Sequence, residues 1–414
     1  MSNKSLSAAA FLTGLCCAMG CGQAIAQAGA KASAPASASA ANAIKIGVIC
    51  PFSGPSADFG VPLLNGVKQA VDEINSVGGY LGRPIQLVIK DDQGNPDVGM
   101  KMSQELLNEK VVATVGFCNT GVAAKSLELF QTSQTPLIIP VATGTPLTAK
   151  YPGPESYIFR TSAKDAIQAP FVVEDIVKRG WTKVAIFADT TGYGAGGLVD
   201  VESALAARQL KPVHVARFPL GVTNLEDELK AAKAAGANVI FSYTVGYENA
   251  VIAKGRKALG WAVPQVGAWP LSFTFFLDGA KEAADGALMA QTFIAEPSNE
   301  RRAAFLVSYA RRNQVKKIPV PMAAAQGYDS VYLLVYSLFG IRSGNLSGPA
   351  IKAALENLSR VYYGVVATYE HPFSIQDKDA LTANMLVMGM VKNGAITFAY
   401  PEDAKRNLFV KRKQ

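Results

Sequence analysis

The sequence predicts an α/β protein of two doubly wound, parallel-sheet lobes joined by a hinge that the chain crosses three times. Three observations carry this. From Ile44 onward, short apolar runs alternate with stretches of helical spacing, the pattern of parallel strands covered on both faces. The same rhythm starts a second time after residue 161. The length, 414 residues, exceeds what one ordinary core holds and suits two.

In the first series the strands are "IKIGVIC", "RPIQLVIKDD", "VVATVGFC" and "TPLIIPVA". The helices between them are "GVPLLNGVKQAVDEINSVGG", "DVGMKMSQELLNEK" and "AAKSLELFQTS". In the second, "QAPFVVEDIVKRGW", "GGLVDVESALAARQL", "NLEDELKAAKAAG" and "NAVIAKGRKALGW" read as helices. The strands "KVAIFAD", "PVHVARFP", "NVIFSYT" and "QVGAW" separate them. A further strand, "GALMAQTFIAEP", precedes three helices that begin at "ERRAAFLVSYARRN", "AAAQGYDSVYLL" and "GPAIKAALENLS". Two terminal strands, "NMLVMGMVKNG" and "AITFAYP", follow. The late helices are assigned to the first lobe and the last strands to the second. Lobe 1 is then residues 43–161 plus 292–368, and lobe 2 is 162–291 plus 369–405. Several crossings at one waist make a hinge.

Apolar residues form 49% of the chain and charged residues 17%, a packed globular composition. The net charge of +8 comes from basic residues scattered singly or in pairs such as Lys316–Lys317. No basic stripe interleaved with aromatics is present, which argues against a nucleic-acid partner. Residues 1–26 read as an export signal: a positive start, then the apolar segment Leu6 to Gly20, too short to span a bilayer. Two endings compete. "AIA" at Ala24 to Ala26 suits ordinary cleavage, the preferred reading, and "AMGC" ending at Cys21 is a partial lipoprotein box. Residues 27–43 are an Ala/Ser-rich tether. A soluble, periplasmic protein is expected, as a monomer.

Five Cys are present, with Cys16, Cys17 and Cys21 in the signal. Cys50 and Cys118 remain, each at the C-terminal end of a predicted strand, and the strands should be neighbours. A disulfide and two separate buried thiols are both open.

The segments "IGVICPFSGPSADFG", "GVKQAVDEINSVGGYLGRPIQLVIKDDQGNP", "TPLIIPVATGTPLT", "YIFRTS", "DTTGYGAGG" and "AAAQGYDSVYLL" occur in one order across Ile44 to Pro401. Together they resemble the type I periplasmic solute-binding proteins of ABC importers, in the branched-chain amino acid-binding (Leu/Ile/Val-binding) family. The resemblance implies the type I periplasmic binding protein fold, hinge closure on a small solute and docking to an inner-membrane ABC permease. It implies no chemistry, and no cofactor is expected.

Ligands of open α/β sheets sit beyond the carboxyl ends of the strands, and five such ends carry candidate residues. Phe59 follows a Gly-Pro turn, and the resemblance sets an aromatic there against the ligand; the alternative is packing on its own lobe. Asn119 and Thr120 begin a helix, as plain caps or as part of an anion site built from free amides. Ala142 and Thr143 match positions whose backbone N–H and hydroxyl grip a carboxylate in the family. Tyr193 lies in "DTTGYGAGG", where the family has a Tyr facing the ligand. Tyr243 and Tyr247 stand at a strand end where aromatic core packing is the alternative. Trp269 stands near the position at which amino acid-binding members carry an acid for the ligand ammonium. An indole offers an apolar face and one donor but no counter-charge. This points to a carboxylate-bearing solute without an α-amine, such as an aromatic or branched carboxylic acid. The alternative is an amino acid with Glu248 as the ammonium partner.

Two other functions stay in view. Gly192, Gly194 and Gly197 satisfy a dinucleotide fingerprint after a strand, the mark of a nicotinamide-dependent enzyme. No acid ends the next strand to bind a ribose, which argues against it. A ligand-sensing module is the other. His214 and His371 have no metal-ligand spacing. Asp91 and Asp92 read as a solvated strand end, and Asp329 as a structural residue of a helix.

Overall fold

The computed structural model describes residues 42–406 and 408. The expected signal, with Cys16, Cys17 and Cys21, and most of the tether lie outside the described residues. In the first series β1 (Ile44–Cys50), α1 (Ala57–Ser76), β2 (Ile85–Asp91), α2 (Pro96–Asn108), β3 (Ala113–Gly116), α3 (Thr120–Thr132), β4 (Leu137–Ile139), the single turn α4 (Pro146–Ala149) and β5 (Ile158–Arg160) follow in order. Their strands form a sheet of order β2-β1-β3-β4-β5, and every pairing in it is parallel. Nearly all of β1 and all of β3 are buried, as a sheet covered on both faces requires.

The second series comprises α5 (Asp165–Lys178), β6 (Val184–Asp189), α6 (Gly192–Ala206), β7 (His214–Phe218), α7 (Glu226–Ala234), β8 (Val239–Tyr243), α8 (Glu248–Ala258), β9 (Gln265–Gly267), α9 (Thr274–Ala280) and β10 (Leu288–Gln291). Then come α10 (Glu300–Asn313), α11 (Pro321–Leu338), α12 (Gly348–Glu356), the short pair β11 (Tyr362–Tyr363) and β12 (Thr368–Tyr369), and finally β13 (Val387–Lys392) and β14 (Ala395–Phe398). The second sheet has the order β14-β13-β10-β9-β8-β6-β7. It is parallel through β10, but β13 and β14 join it antiparallel, a departure from the purely parallel lobe expected. The two-residue link Asn393–Gly394, both at positive φ, makes a hairpin of these strands.

The chain passes between the sheets after β5, after β10 and after β12. α10 and α11 return to pack on α1 of the first layer. There the backbones meet so closely that a Cβ on Gly66 would lie 2.1 Å from the Ala324 carbonyl oxygen. Asp329 of α11 is buried, and its carboxylate accepts from the Tyr362 and Tyr369 hydroxyls and the Val365 and Val366 amides. It ties β11 and β12 to the helix, a structural task.

The third passage is pinned to the first by Arg160, the last residue of β5, which is fully buried. Its backbone bonds Lys378 and Ala380, each at 2.8 Å. Its Nε donates to Asp379 at 2.7 Å, and Nη1 donates to the carbonyls of Thr143 (2.9 Å) and Gly144 (2.8 Å). Burial pushes the Asp379 carboxyl up, but Arg160 and Lys164 outweigh it and hold that pKa well below the usual range. Arg160→Leu leaves the Asp379 carboxylate buried without its main partner, and is expected to cost about 3–5 kcal/mol in urea denaturation at neutral pH. A depressed carboxyl contributes stability above its unfolded pKa of 3.8 and loses it as the pH falls below. The variant should therefore show a shallower acid limb in stability against pH than the wild type.

Candidate functional site

The C-terminal ends of β1, β3 and β4 in one sheet face those of β6, β8 and β9 in the other, with a cavity of about 280 Å³ between them. Each wall follows from local sequence. "SGPSADFG" closes a turn after β1 and starts α1 at Ala57, earlier than expected, so Phe59 stands on the first helical turn rather than on a loop. Asp91 orders that turn, and Asp92 orders the one after β2. Asp91 accepts from the Phe52 amide (2.8 Å) and the Ser53 hydroxyl (2.6 Å), and Asp92 accepts from the Gly94 amide (2.8 Å). The solvated strand end expected for this pair is therefore corrected: Asp92 is fully buried, and burial pushes its carboxyl up to about 7.

Cys50 and Cys118 are joined by a disulfide, with their Cα atoms 5.3 Å apart. β1 and β3 are neighbours, which brings the two strand ends together. The bridge fixes the start of α3 next to the Phe59 turn. Asn119 occupies the N-cap of α3 but gives it no side-chain bond. Its Nδ2 reaches Ser56 at 3.3 Å, and its buried Oδ1 has no partner. Thr120 accepts from the Gly144 amide at 3.1 Å, joining this wall to the Thr143 loop.

Of the nine residues proposed from sequence, Phe59, Asn119, Thr120, Thr143, Tyr193 and Trp269 line this cavity. Three do not. The Ala142 amide already donates to the Phe117 carbonyl at 3.0 Å, as β4 runs on past β3, and cannot also grip a carboxylate. Tyr243 is fully buried beneath Tyr193, their ring centroids 4.8 Å apart, in the core of the second layer. Tyr247 is 44% exposed and faces a separate surface groove, under the Lys254 ammonium. Glu248 is also placed elsewhere: its carboxylate accepts from the Gly221 amide at 2.6 Å and does not line the cavity. Phe273 was not foreseen; it lines the cavity and packs on Phe59 at 5.4 Å. The aromatic run "FTFF" after Trp269 was the available signal.

None of the lining residues is charged. Amide, hydroxyl and phenol groups meet Val141, Val245, Leu220 and the three rings Phe59, Trp269 and Phe273. The dinucleotide reading does not fit. Thr191 caps α6 with its own hydroxyl, accepting from the Tyr193 and Gly194 amides. Gly194 and Gly197 are small because Asp189 and the Tyr243 ring lie against them. Gly192 instead faces Gly121 across the cleft, where a Cβ would sit 3.3 Å from the Gly121 Cα. Two bonds also cross: Thr274 to Asp58 (2.9 Å) and Thr145 to Asp200 (2.8 Å).

Two facing α/β layers, a waist of several passages and a small uncharged cavity between strand ends define a two-lobed, type I solute-binding protein. A family profile described as "Periplasmic binding protein" matches residues 43–395, and the chain belongs to that family, one of binding proteins rather than enzymes. A Leu/Ile/Val-binding protein homolog of Brucella melitensis is 30% identical over 232 residues, 56% of this chain and 62% of that one. Among solved structures, LivJ of Streptococcus pneumoniae in complex with isoleucine is similar, with TM-score 0.75 and 23% identity over 86% of this chain and 97% of that one. A solute-binding protein of an ABC transporter from Rhodopseudomonas palustris, in complex with p-hydroxybenzoic acid, gives the same score and identity over 86% and 95%. Among the described residues no helix is long and apolar enough to cross a membrane.

Replacing Cys50 and Cys118 together by Ser frees a loop of 68 residues in sequence separation. The double variant is expected to lose about 2–5 kcal/mol in urea denaturation, and the wild type to lose the same on reduction.

Proposed function

We propose that the chain captures a small carboxylic acid with an apolar or aromatic body in this cavity and delivers it, from the periplasm, to an ABC permease of the inner membrane. The observation that carries the reading is the wall itself. The start of α3, which no side chain caps, and the hydroxyls of Thr120 and Thr143 stand at one side, aromatic rings stand at the other, and no charged residue lines the cavity. Helix-start amides and hydroxyls hold an anion without a formal counter-charge. Each charge-assisted bond is worth about 1.5–3 kcal/mol. The similar proteins bind isoleucine in one case and p-hydroxybenzoic acid in another, and a carboxylate is common to both.

The Trp269 ring favours acids without an α-amine, because a buried ammonium against an indole lacks a full counter-charge. Glu248 as ammonium partner is not supported, since its carboxylate is already occupied by Gly221. The first lobe takes the carboxylate through the α3 amides that follow Asn119 and through the hydroxyls of Thr120 and Thr143. The second closes Tyr193, Trp269 and Phe273 over the apolar body, and closure creates the surface a permease reads.

In thermal-shift assays, branched or aromatic carboxylic acids should raise Tm while NAD leaves it unchanged; a shift with NAD alone sinks the proposal. Trp269→Glu should improve binding of leucine relative to 4-methylpentanoate by about tenfold or more, by isothermal titration calorimetry. An unchanged ratio would count against the ammonium argument.

A further inference from the structure

Two side-chain bonds join the lobes outside the cavity. In one, the Thr274 hydroxyl at the start of α9 donates to Asp58, on the first turn of α1, at 2.9 Å. In the other, the Thr145 hydroxyl donates to Asp200 of α6 at 2.8 Å. Asp58, Thr145, Asp200 and Thr274 do not line the cavity. The first pair sits next to it all the same: Asp58 precedes Phe59 and Thr274 follows Phe273, and those two rings pack across the cleft at 5.4 Å. In the second pair, the Thr145 oxygen also accepts from the Ala166 amide of α5 at 2.9 Å, which leaves its proton for Asp200. Burial pushes the Asp200 carboxyl up, and the Thr145 hydroxyl and the Arg160 and Lys164 cations pull the other way. All four residues are at least partly exposed. Water therefore replaces the lost partner when the lobes part, and the bonds break and re-form at small cost, whereas fully buried ones would strand a polar group.

We propose that Asp58 with Thr274 and Asp200 with Thr145 are latches. They favour the closed arrangement of the lobes whatever the solute, in the free carrier as well as the loaded one, and so set how tightly cargo is held and not which cargo is selected. The apparent affinity of a site that is complete only when closed is its intrinsic affinity scaled by the closed fraction. A residue that changes this fraction from outside the cavity changes every affinity by the same factor. A residue on the cavity wall changes one affinity relative to another. The latches rest on the two-lobed architecture and not on the carboxylate reading.

Small-angle X-ray scattering from the purified, solute-free chain tests this beside the variant Asp58→Ala/Asp200→Ala. The variant should have the larger radius of gyration. Thr274→Ser and Asp200→Asn, which keep a hydroxyl and an acceptor, should scatter nearly as the wild type does. Asp58→Ala and Thr274→Val remove the same bond, so together they should extend the particle no further than either alone; additive changes overturn that latch. Thr274→Val, close to isosteric, serves if the double aspartate variant does not fold. Identical scattering of the wild type and the variants overturns the proposal. In calorimetric titration with leucine and with 4-methylpentanoate, each measurable Kd should rise about threefold to tenfold in Asp58→Ala/Asp200→Ala, with their ratio unchanged. A changed ratio makes these residues part of the selective wall and overturns the latches. Failure of both solutes to bind the wild type counts against the carboxylate reading, and scattering then decides the latches by itself.

Discussion

The structure depends on one buried cation. Arg160 ends the first sheet, and its guanidinium serves two masters: the carbonyls of Thr143 and Gly144 on the cavity wall, and Asp379 on the last passage between the lobes. A guanidinium with no exposure must have every donor matched, and its planar fork holds the groups it meets in fixed relative positions. The Thr143 loop is thereby braced from behind by the last segment that passes between the sheets. One side chain fixes the cavity wall and that passage relative to each other.

The cavity then works without formal charge. Its polar groups are amides, hydroxyls and phenols carried by elements that rigid features hold in place: a disulfide behind Asn119, the Asp91 carboxylate behind the Phe59 turn, a threonine cap on α6. Such groups are already oriented before a solute arrives, so little reorganisation accompanies binding.

Much of this was legible in the sequence because hydrophobic period and strand-end chemistry are local. The alternation of strands and helices came from such signals, while Phe59, Asn119, Thr120, Thr143, Tyr193 and Trp269 were singled out by the family resemblance together with their place at strand ends. What escaped depended on distant partners. Ala142 matched by position, but its amide was spent on a neighbouring strand. Tyr243 and Tyr247 lie at one strand end, yet alternation sends the first into the core, and the turn into α8 sends the second outward. Asp92 looked solvated because nothing in an Asp-Asp pair says which acid the following helix, α2, buries. Arg160 gave no hint at all, since its main partner lies 219 residues away.

Where the lobes touch at Gly121 and Gly192, backbone meets backbone with no side chain between. Main-chain thickness alone sets the distance of nearest approach there, and no substitution can shorten it. A cargo too large for the chamber must therefore show as a visible gap along that line. The seam is thus a fixed stop whose position owes nothing to side-chain chemistry.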